Sequence, residues 1–473
     1  MVVKMKKKYL IFLTLFVLFF VSGVFLLNTQ NPKLIQIKRY IPSEIKDFLK
    51  ETVFYIPSIL KLNSEKEKEI ERLELRVHKL ENTKGYVNED IFPQTQYLKL
   101  KFKEMSLKNI ETKFEYLRYG EIVKPFYIEY FNDKVFLVFK DGSIYSVSSD
   151  DILNKDNKDE FFSKNQVLKS IKHNLPKNIE ISDILYFNKK LFVSFSNKDK
   201  NLCNLDDLNI FSSEIRENNF KFEQVINIKN AKNIEKIYPR CLEHATVAGK
   251  MEGLKNGKIL ISTPQIIDDE TFMEKIKERE ENFKITYKYS LFIEIDPYKK
   301  NYDIISVGHR NPIGVVQDPS SGTIIATEHG PRGGDEINKI IKGKNYGWPF
   351  VSYGEPYAVN KNEPYFFKKN HSKHGFKEPI YSFVPSIGIS HIIKVDNEFS
   401  EKWKNNFLIT SLKKKSIYRV EFDENFTKVK FIEQIKLGKR IRDIIYLKKY
   451  KAFVLALEDK DGFLGVIKNF DNY

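Results

Sequence analysis

Val135-Phe136-Leu137-Val138-Phe139, the Asp141-Gly142 turn and Ser143-Ile144-Tyr145-Ser146-Val147 are the stretch from which the fold can be read. Two short runs of β-branched and aromatic residues flank an Asp-Gly pair, a strong short-range signal for a β-hairpin. Similar apolar runs return at Lys190-Leu191-Phe192-Val193-Ser194-Phe195, Lys258-Ile259-Leu260-Ile261-Ser262 and Tyr289-Ser290-Leu291-Phe292-Ile293-Glu294-Ile295, among Asn, Asp, Gly and Lys turns. The alternation begins at Leu98-Lys99-Leu100-Lys101-Phe102 and continues to the C-terminus. Loose repetition of hairpins over roughly 350 residues predicts a β-propeller, where each blade is a four-stranded sheet and radial closure leaves few exposed edges. About six blades of roughly sixty residues fit this length. A pair of β-sandwiches is the competing all-β solution. Lys155 to Lys164 and Asp268 to Glu281 are charged excursions between strands, the second with the composition of a short helix on a blade connection.

Upstream of the strands the pattern differs. Lys4, Lys6, Lys7 and Lys8 precede a charge-free, largely apolar run from Tyr9 to Leu27, about the length of a membrane-spanning helix. No convincing small-x-small cleavage site follows it, so the run reads as an uncleaved signal anchor with everything after Asn28 exported. From Glu65 to Glu81, Ile70, Leu73, Val77 and Leu80 form an a/d stripe that Gly85 ends. This is a helix that either packs on its own domain or joins copies of the chain through a stalk. The expected division is an anchor over 1–30, a helical stalk or linker over 31–96 and the propeller over 97–473.

With 41% hydrophobic and 14% aromatic residues in 473, the chain can fill a sizeable core. Its formal net charge of +16 comes mainly from scattered lysines, without the arginine-rich, aromatic-interleaved blocks of a nucleic-acid binder, so no nucleic-acid partner is expected. The two cysteines, Cys203 and Cys241, are either one disulfide or two buried thiols.

Polar and turn-forming residues crowd without helical period between Val307 and Tyr357. Gly308-His309-Arg310-Asn311-Pro312 is followed by Glu328-His329-Gly330-Pro331-Arg332-Gly333-Gly334-Asp335-Glu336-Ile337-Asn338 and by Asn345-Tyr346-Gly347-Trp348-Pro349. Glycine permits close backbone approach and proline removes an N–H, so Gly-Pro beside carboxylates can turn carbonyl oxygens towards one hard cation. A long irregular connection is the other reading.

These three blocks, in this order, resemble the soluble pyrroloquinoline-quinone (PQQ) dependent aldose sugar dehydrogenases, the glucose/sorbosone dehydrogenase family. The likeness continues through Pro385-Ser386-Ile387, Ser411-Leu412-Lys413 and Arg440-Ile441-Arg442-Asp443, and is weak upstream of about Ile234. It implies a six-bladed propeller that oxidises the anomeric hydroxyl of an aldose to a lactone, with PQQ and calcium as cofactors, a sugar as substrate and an electron acceptor of unknown identity.

The resemblance implies that Arg310, Asn311, Lys413, Arg440 and Arg442 contact the cofactor. Strand alternation puts the last two on one side of a strand. Surface ion pairing with Asp443 or Glu433 is the alternative for these arginines. Gly330 and Pro331 would give carbonyls to the calcium that touches PQQ, while Glu336 and the Tyr346 carbonyl would hold a second. Tyr357 and Phe383 are candidates for the walls around the ring, or for core packing.

A family histidine would take the sugar proton, and here the pattern shifts. Aligned on Ala248-Gly249-Lys250-Met251, its position holds Thr246, and His244 lies two residues upstream on the same strand face. His244 is the expected base, with a hydrogen-bonded loop histidine as the other reading. The competing function is a propeller that lost catalysis and binds a glycan or protein partner.

Overall fold

In the computed structural model the described residues are 86–87, 98, 100–107, 116–118, 121–153, 168–197, 207–216, 219–229, 248–263, 291–356, 367–460 and 462–469. They build six antiparallel sheets arranged as the blades of a closed propeller. Blade one contains the hairpin that opened the sequence argument: Phe126–Phe131, Lys134–Phe139, Ile144–Ser148 and Lys169–Ser170. Its Asp141-Gly142 corner closes as the pattern requires. Gly142 takes φ +91°, its N–H donates to the Phe139 carbonyl at 2.9 Å, and the Asp141 carboxylate accepts from Ser143 N at 2.9 Å.

Blade two is Ile179–Phe187, Lys190–Asn197, Asp207–Glu214 and Glu223–Lys229; blade three is Met251–Gly253, Ile259–Ser262, Phe292–Asp296 and Asn301–Val307. Blade four is Pro312–Gln317, Ile324–Glu328, Asp335–Ile340 and Tyr381–Phe383; blade five is Ile389–Lys394, Asn406–Ser411, Ser416–Phe422 and Val429–Lys436. Blade six combines three C-terminal strands, Arg440–Leu447, Ala452–Glu458 and Phe463–Asn469, with an N-terminal one, Leu100–Ser106. The pairing of Leu100–Ser106 with Phe463–Asn469 ties the two ends of the domain together and removes a free edge.

The first strand of each blade touches the first strand of the next, so these six form the innermost ring. Apolar side chains fill the space between successive blades. Phe126, Val135 and Leu137 meet Val454 and Leu464 between blades one and six, and Ile325 and Ile337 meet Ile389 and Ile409 between four and five.

Each junction also carries a side-chain bond to a neighbouring backbone. Glu129 accepts from Tyr186 N at 2.9 Å, Asp183 from Met251 N at 2.9 Å and Glu252 from Gln317 N at 2.8 Å. Asp335 accepts from Ile389 N at 2.9 Å, Ser390 Oγ donates to Arg442 O at 2.6 Å, and Asp443 accepts from Ile128 N at 3.0 Å. Innermost strands have no ladder partner on the channel side, and these side chains satisfy N–H and carbonyl groups that water would otherwise have to reach.

Among the described residues, no helix is long and apolar enough to cross a membrane. The expected anchor, the stalk helix, both charged excursions, Cys203 and Cys241, His244 and Tyr357 lie outside the described residues.

Candidate functional site

Strand register brings the signature blocks to one end of the ring. Pro312 pairs with Glu328, Ile389 with Ser411 and Arg440 with Glu458, so the innermost strands of blades four, five and six all start at this end. Arg310 and Asn311 precede the first of these strands, Gly330 and Pro331 follow Glu328, Lys413 follows Ser411, and Arg440 opens the last. A small cavity there is lined by Gly308, Arg310, Glu328, Gly330, Pro331, Gly334, Glu336, Tyr346, Trp348 and His371.

Its floor depends on glycine. Gly334 takes φ +68°, and a methyl group there would strike the backbone of Gly354; one on Gly330 would strike the Gly334 carbonyl. Asp335 pins the same loop by accepting from Gly330 N at 3.1 Å and from the Ser386 hydroxyl at 2.6 Å. Glu328 accepts from Arg310 N and faces His309 Nδ1 at 3.0 Å. His309 is fully buried, with its other nitrogen 2.8 Å from Ser306 Oγ. Both of its nitrogens are thus engaged within the loop.

Arg310 lies over the Trp348 ring, 5.3 Å from its centroid. Its Nη1 donates to the His329 and Gly330 carbonyls at 3.2 and 3.0 Å. The neighbouring Asn311 is 1% exposed, yet neither atom of its side-chain amide has a hydrogen-bond partner. The Trp348 indole N–H is likewise buried without one. Leaving such groups unmet costs about 1–3 kcal/mol each, so a polar ligand that satisfied them would recover that energy.

Arg440 and Arg442 converge on one carboxylate, but it belongs to neither residue named from the sequence. Asp443 instead binds Lys250 and Glu433 binds Arg419. The partner is the fully buried Glu458, whose Oε2 accepts from Arg440 Nη2 at 3.0 Å and whose Oε1 accepts from Arg442 Nε at 2.6 Å. The trio keeps a net positive charge, and Glu458 holds both guanidinium planes in place. Lys413 is exposed at the same end. Phe383 is 5% exposed and packs edge-on against Tyr381 and Tyr418, at 4.7 and 5.4 Å between centroids. It sits in the core between blades four and five, because its strand pairs with Asp335–Ile337 and turns this side chain inward.

The residues expected around calcium line one cavity, but the donors are already engaged. Gly330 O accepts from Arg310, although a carbonyl keeps a second lone pair, so this position fits a cation. The second does not. His371 Nδ1 donates to Tyr346 O at 2.8 Å, and its Nε2 lies 3.3 Å from Glu336 Oε1. The imidazole stands between the two oxygens that one ion would have to share. Among the described residues no cluster of three or more His, Cys, Asp or Glu side chains could hold a metal.

In the channel, blades two, three, five and six contribute one ionisable group each. Lys250 Nζ lies 2.7 Å from Asp183 and 3.0 Å from Asp443, and His391 Nε2 lies 3.8 Å from Asp443. Burial lifts the Asp183 carboxyl. Burial also acts on Asp443, but Lys250 and His391 outweigh it and hold that group below its usual range. Burial, with Lys250 adding to it, pushes His391 down to about 3. Among the described residues His391 is the one histidine on an innermost strand, and its Nδ1 is buried without a hydrogen-bond partner.

Because His391 stays neutral in the fold while an unfolded histidine charges near pH 6.5, its contribution is fully present above that pH and is lost as pH falls towards 3. The slope is at most about 1.4 kcal/mol per pH unit. Urea unfolding of wild type and His391→Asn at pH 7 and pH 5 checks this: the variant should lose less stability on acidification, and parallel losses would refute it.

Sequence reading missed Asp183, Glu458, His371 and His391. For Asp183 a signal existed, a lone carboxylate inside the apolar run Ile181-Ser182-Asp183-Ile184-Leu185; Glu458 only ends the run Ala452-Phe453-Val454-Leu455-Ala456-Leu457 beside Asp459. Buried charges are costly unless paired.

The chain is thus a closed six-bladed propeller that carries guanidinium groups and an unmet amide at one end. A model of the glucose/sorbosone dehydrogenases matches residues 123–465, and the chain belongs to that family. It is 35% identical over 144 residues to the aldose sugar dehydrogenase YliI of Escherichia coli, covering 30% of this chain and 38% of the relative. Over 191 residues it is 27% identical to quinoprotein glucose dehydrogenase B of Acinetobacter calcoaceticus, covering 30% and 40%. The chain spans only 33–40% of the curated relatives it matches. The apo form of the soluble aldose sugar dehydrogenase from Escherichia coli superposes with a TM-score of 0.57 at 17% identity, covering 78% of this chain and all of the other. That likeness speaks for the fold.

Proposed function

We propose that this protein is a PQQ-dependent dehydrogenase that oxidises an aldose at the anomeric hydroxyl to a lactone. The observation that carries the reading is Asn311, a buried amide with both polar atoms unmet, placed beside Arg310 at the end of the channel where Arg440 and Arg442 converge. PQQ is a planar tricarboxylate, and carboxylates are what this cluster would bind best. The resemblance assigns the site to that cofactor.

When bound, PQQ supplies the hydride-accepting quinone carbon. The chain's own residues do the rest. Arg440 and Arg442, oriented by Glu458, would neutralise the cofactor's carboxylates. Lys413 adds an ammonium from the neighbouring blade, and Asn311 both donates and accepts. Gly330 and Pro331 would offer carbonyls to a calcium that polarises the quinone oxygen. His244 takes the proton of the anomeric hydroxyl in this scheme, an assignment that rests on sequence resemblance.

The Tyr9–Leu27 run supports anchoring in a membrane with the propeller on the outer side, and the Glu65–Glu81 stripe supports association of copies through a stalk. The test is reconstitution of the protein with PQQ and calcium, followed by aldose-dependent dye reduction. Saturable PQQ binding with sugar-dependent turnover is the expected outcome. Failure to bind PQQ would refute the reading, and binding without turnover on any aldose would favour a propeller that retains only its ligand site.

A further inference from the structure

His371 opens a short 3₁₀ turn, His371–His374, capped on one side by Asn370 and on the other by Gly375. It comes from the segment that returns to blade four after the 344–356 loop, and it reaches back under that loop. Its imidazole is 2% exposed and lies against the Tyr353 ring, 5.4 Å between centroids at an interplanar angle of 25°. A carbonyl can only accept, so Nδ1 carries the proton it gives to Tyr346 O at 2.8 Å. The other ring nitrogen faces Glu336 Oε1 at 3.3 Å, while Glu336 Oε2 accepts from Asn338 at 3.1 Å.

The rest of the clamp is equally fixed. The Tyr346 hydroxyl is held by Lys339 O and Ile341 N, and the Phe376 N–H bonds to the carbonyl of His371 at 3.0 Å. Two ligand oxygens of one calcium each lie within about 2.3–2.6 Å of it, which keeps them no more than about 5.2 Å apart. Here a ring edge and a contact on each side of it separate them. Admitting the ion would require expelling a packed side chain.

We infer that this chain closes the Glu336–Tyr346 clamp with the His371 imidazole and holds no calcium between those residues. The inference builds on the family reading, which puts a second calcium there, and departs from it on this chain's own geometry. The imidazole takes the ion's place: it bonds to Tyr346 O in the loop that lies beneath Arg310 and, when protonated, pairs with Glu336 at the Gly-rich strand start.

Metal content tests this without PQQ or sugar, so its failure and the failure of the dehydrogenase reading are separable. The full-length protein is stripped with EGTA, dialysed against calcium and assayed for bound metal by mass spectrometry, as wild type, Glu336→Gln, His371→Ala and the double variant. Wild type and Glu336→Gln should hold the same number of calcium ions per chain. His371→Ala should gain one ion that the double variant lacks, and its melting temperature should rise with calcium by roughly 2–4 °C or more. Loss of one ion on Glu336→Gln alone would overturn the inference, as would no gain in a folded His371→Ala. If His371→Ala does not fold, the comparison of wild type with Glu336→Gln decides by itself.

Discussion

Replacing His244 with alanine is expected to lower sugar turnover by roughly two to four orders of magnitude, the usual contribution of a general base, while PQQ binding stays within a few-fold of wild type. The reasoning is chemical. Removing hydride from the anomeric carbon requires a partner for the hydroxyl proton, and Thr246, which holds the aligned family position, carries a hydroxyl far too weakly basic near neutral pH. Among the described histidines, His309 is committed to Ser306 and Glu328 and His371 to Tyr346 and Glu336. His391, in the channel beside Asp443, is the informative control. Steady-state kinetics of His244→Ala and His391→Ala side by side separate the two imidazoles, because removal of a base lowers kcat and leaves cofactor affinity in place. Unchanged oxidation by His244→Ala would falsify the assignment.

Asp443→Ala is expected to cost about 3–5 kcal/mol of folding stability, the largest single effect anticipated within the described residues. The carboxylate does two jobs at once. One oxygen accepts from Ile128 N at 3.0 Å, joining blade six to blade one, and the other lies 3.0 Å from the Lys250 ammonium. Its removal leaves a buried N–H unmet and leaves Lys250 with Asp183 alone. Lys250→Met should also destabilise, by stranding two buried carboxylates, and the double variant should lose less than the sum of the singles because the groups share one network. Equilibrium denaturation of the three variants measures this. A loss below about 1 kcal/mol for Asp443→Ala would mean that water replaces both contacts.

The strands were legible because their pattern is local. The run Val135–Phe139 and the turn at Gly142 stand where the sequence puts them, since hairpin register depends on residues a few positions apart. The signature blocks were legible for another reason: their glycines and prolines are tied to backbone shape, as at Gly330 and Gly334, where any side chain would collide with main chain. The partners of the charged residues were not legible. Arg440 could meet Asp443, Glu433 or Glu458 as far as spacing tells. Only the pairing of Arg440 with Glu458 across two strands, and the inward turn of Asp443 towards Lys250, assigned each carboxylate.

By itself, then, the sequence determined the all-β repeat and the blocks that carry the family likeness, because alternation and turn chemistry are encoded in neighbours; its length permitted six blades, a number that the family likeness implied. The tertiary structure alone decided which groups meet. Closing six blades into a ring brings Asp183, Lys250, His391 and Asp443 into one channel from four blades, and folds His371 back under the loop that begins at Tyr346. Such contacts join residues up to 193 positions apart, as between Lys250 and Asp443, and no local propensity records them. They are fixed by the pairing of Leu100–Ser106 with Phe463–Asn469, since ring closure is what sets where every innermost strand points.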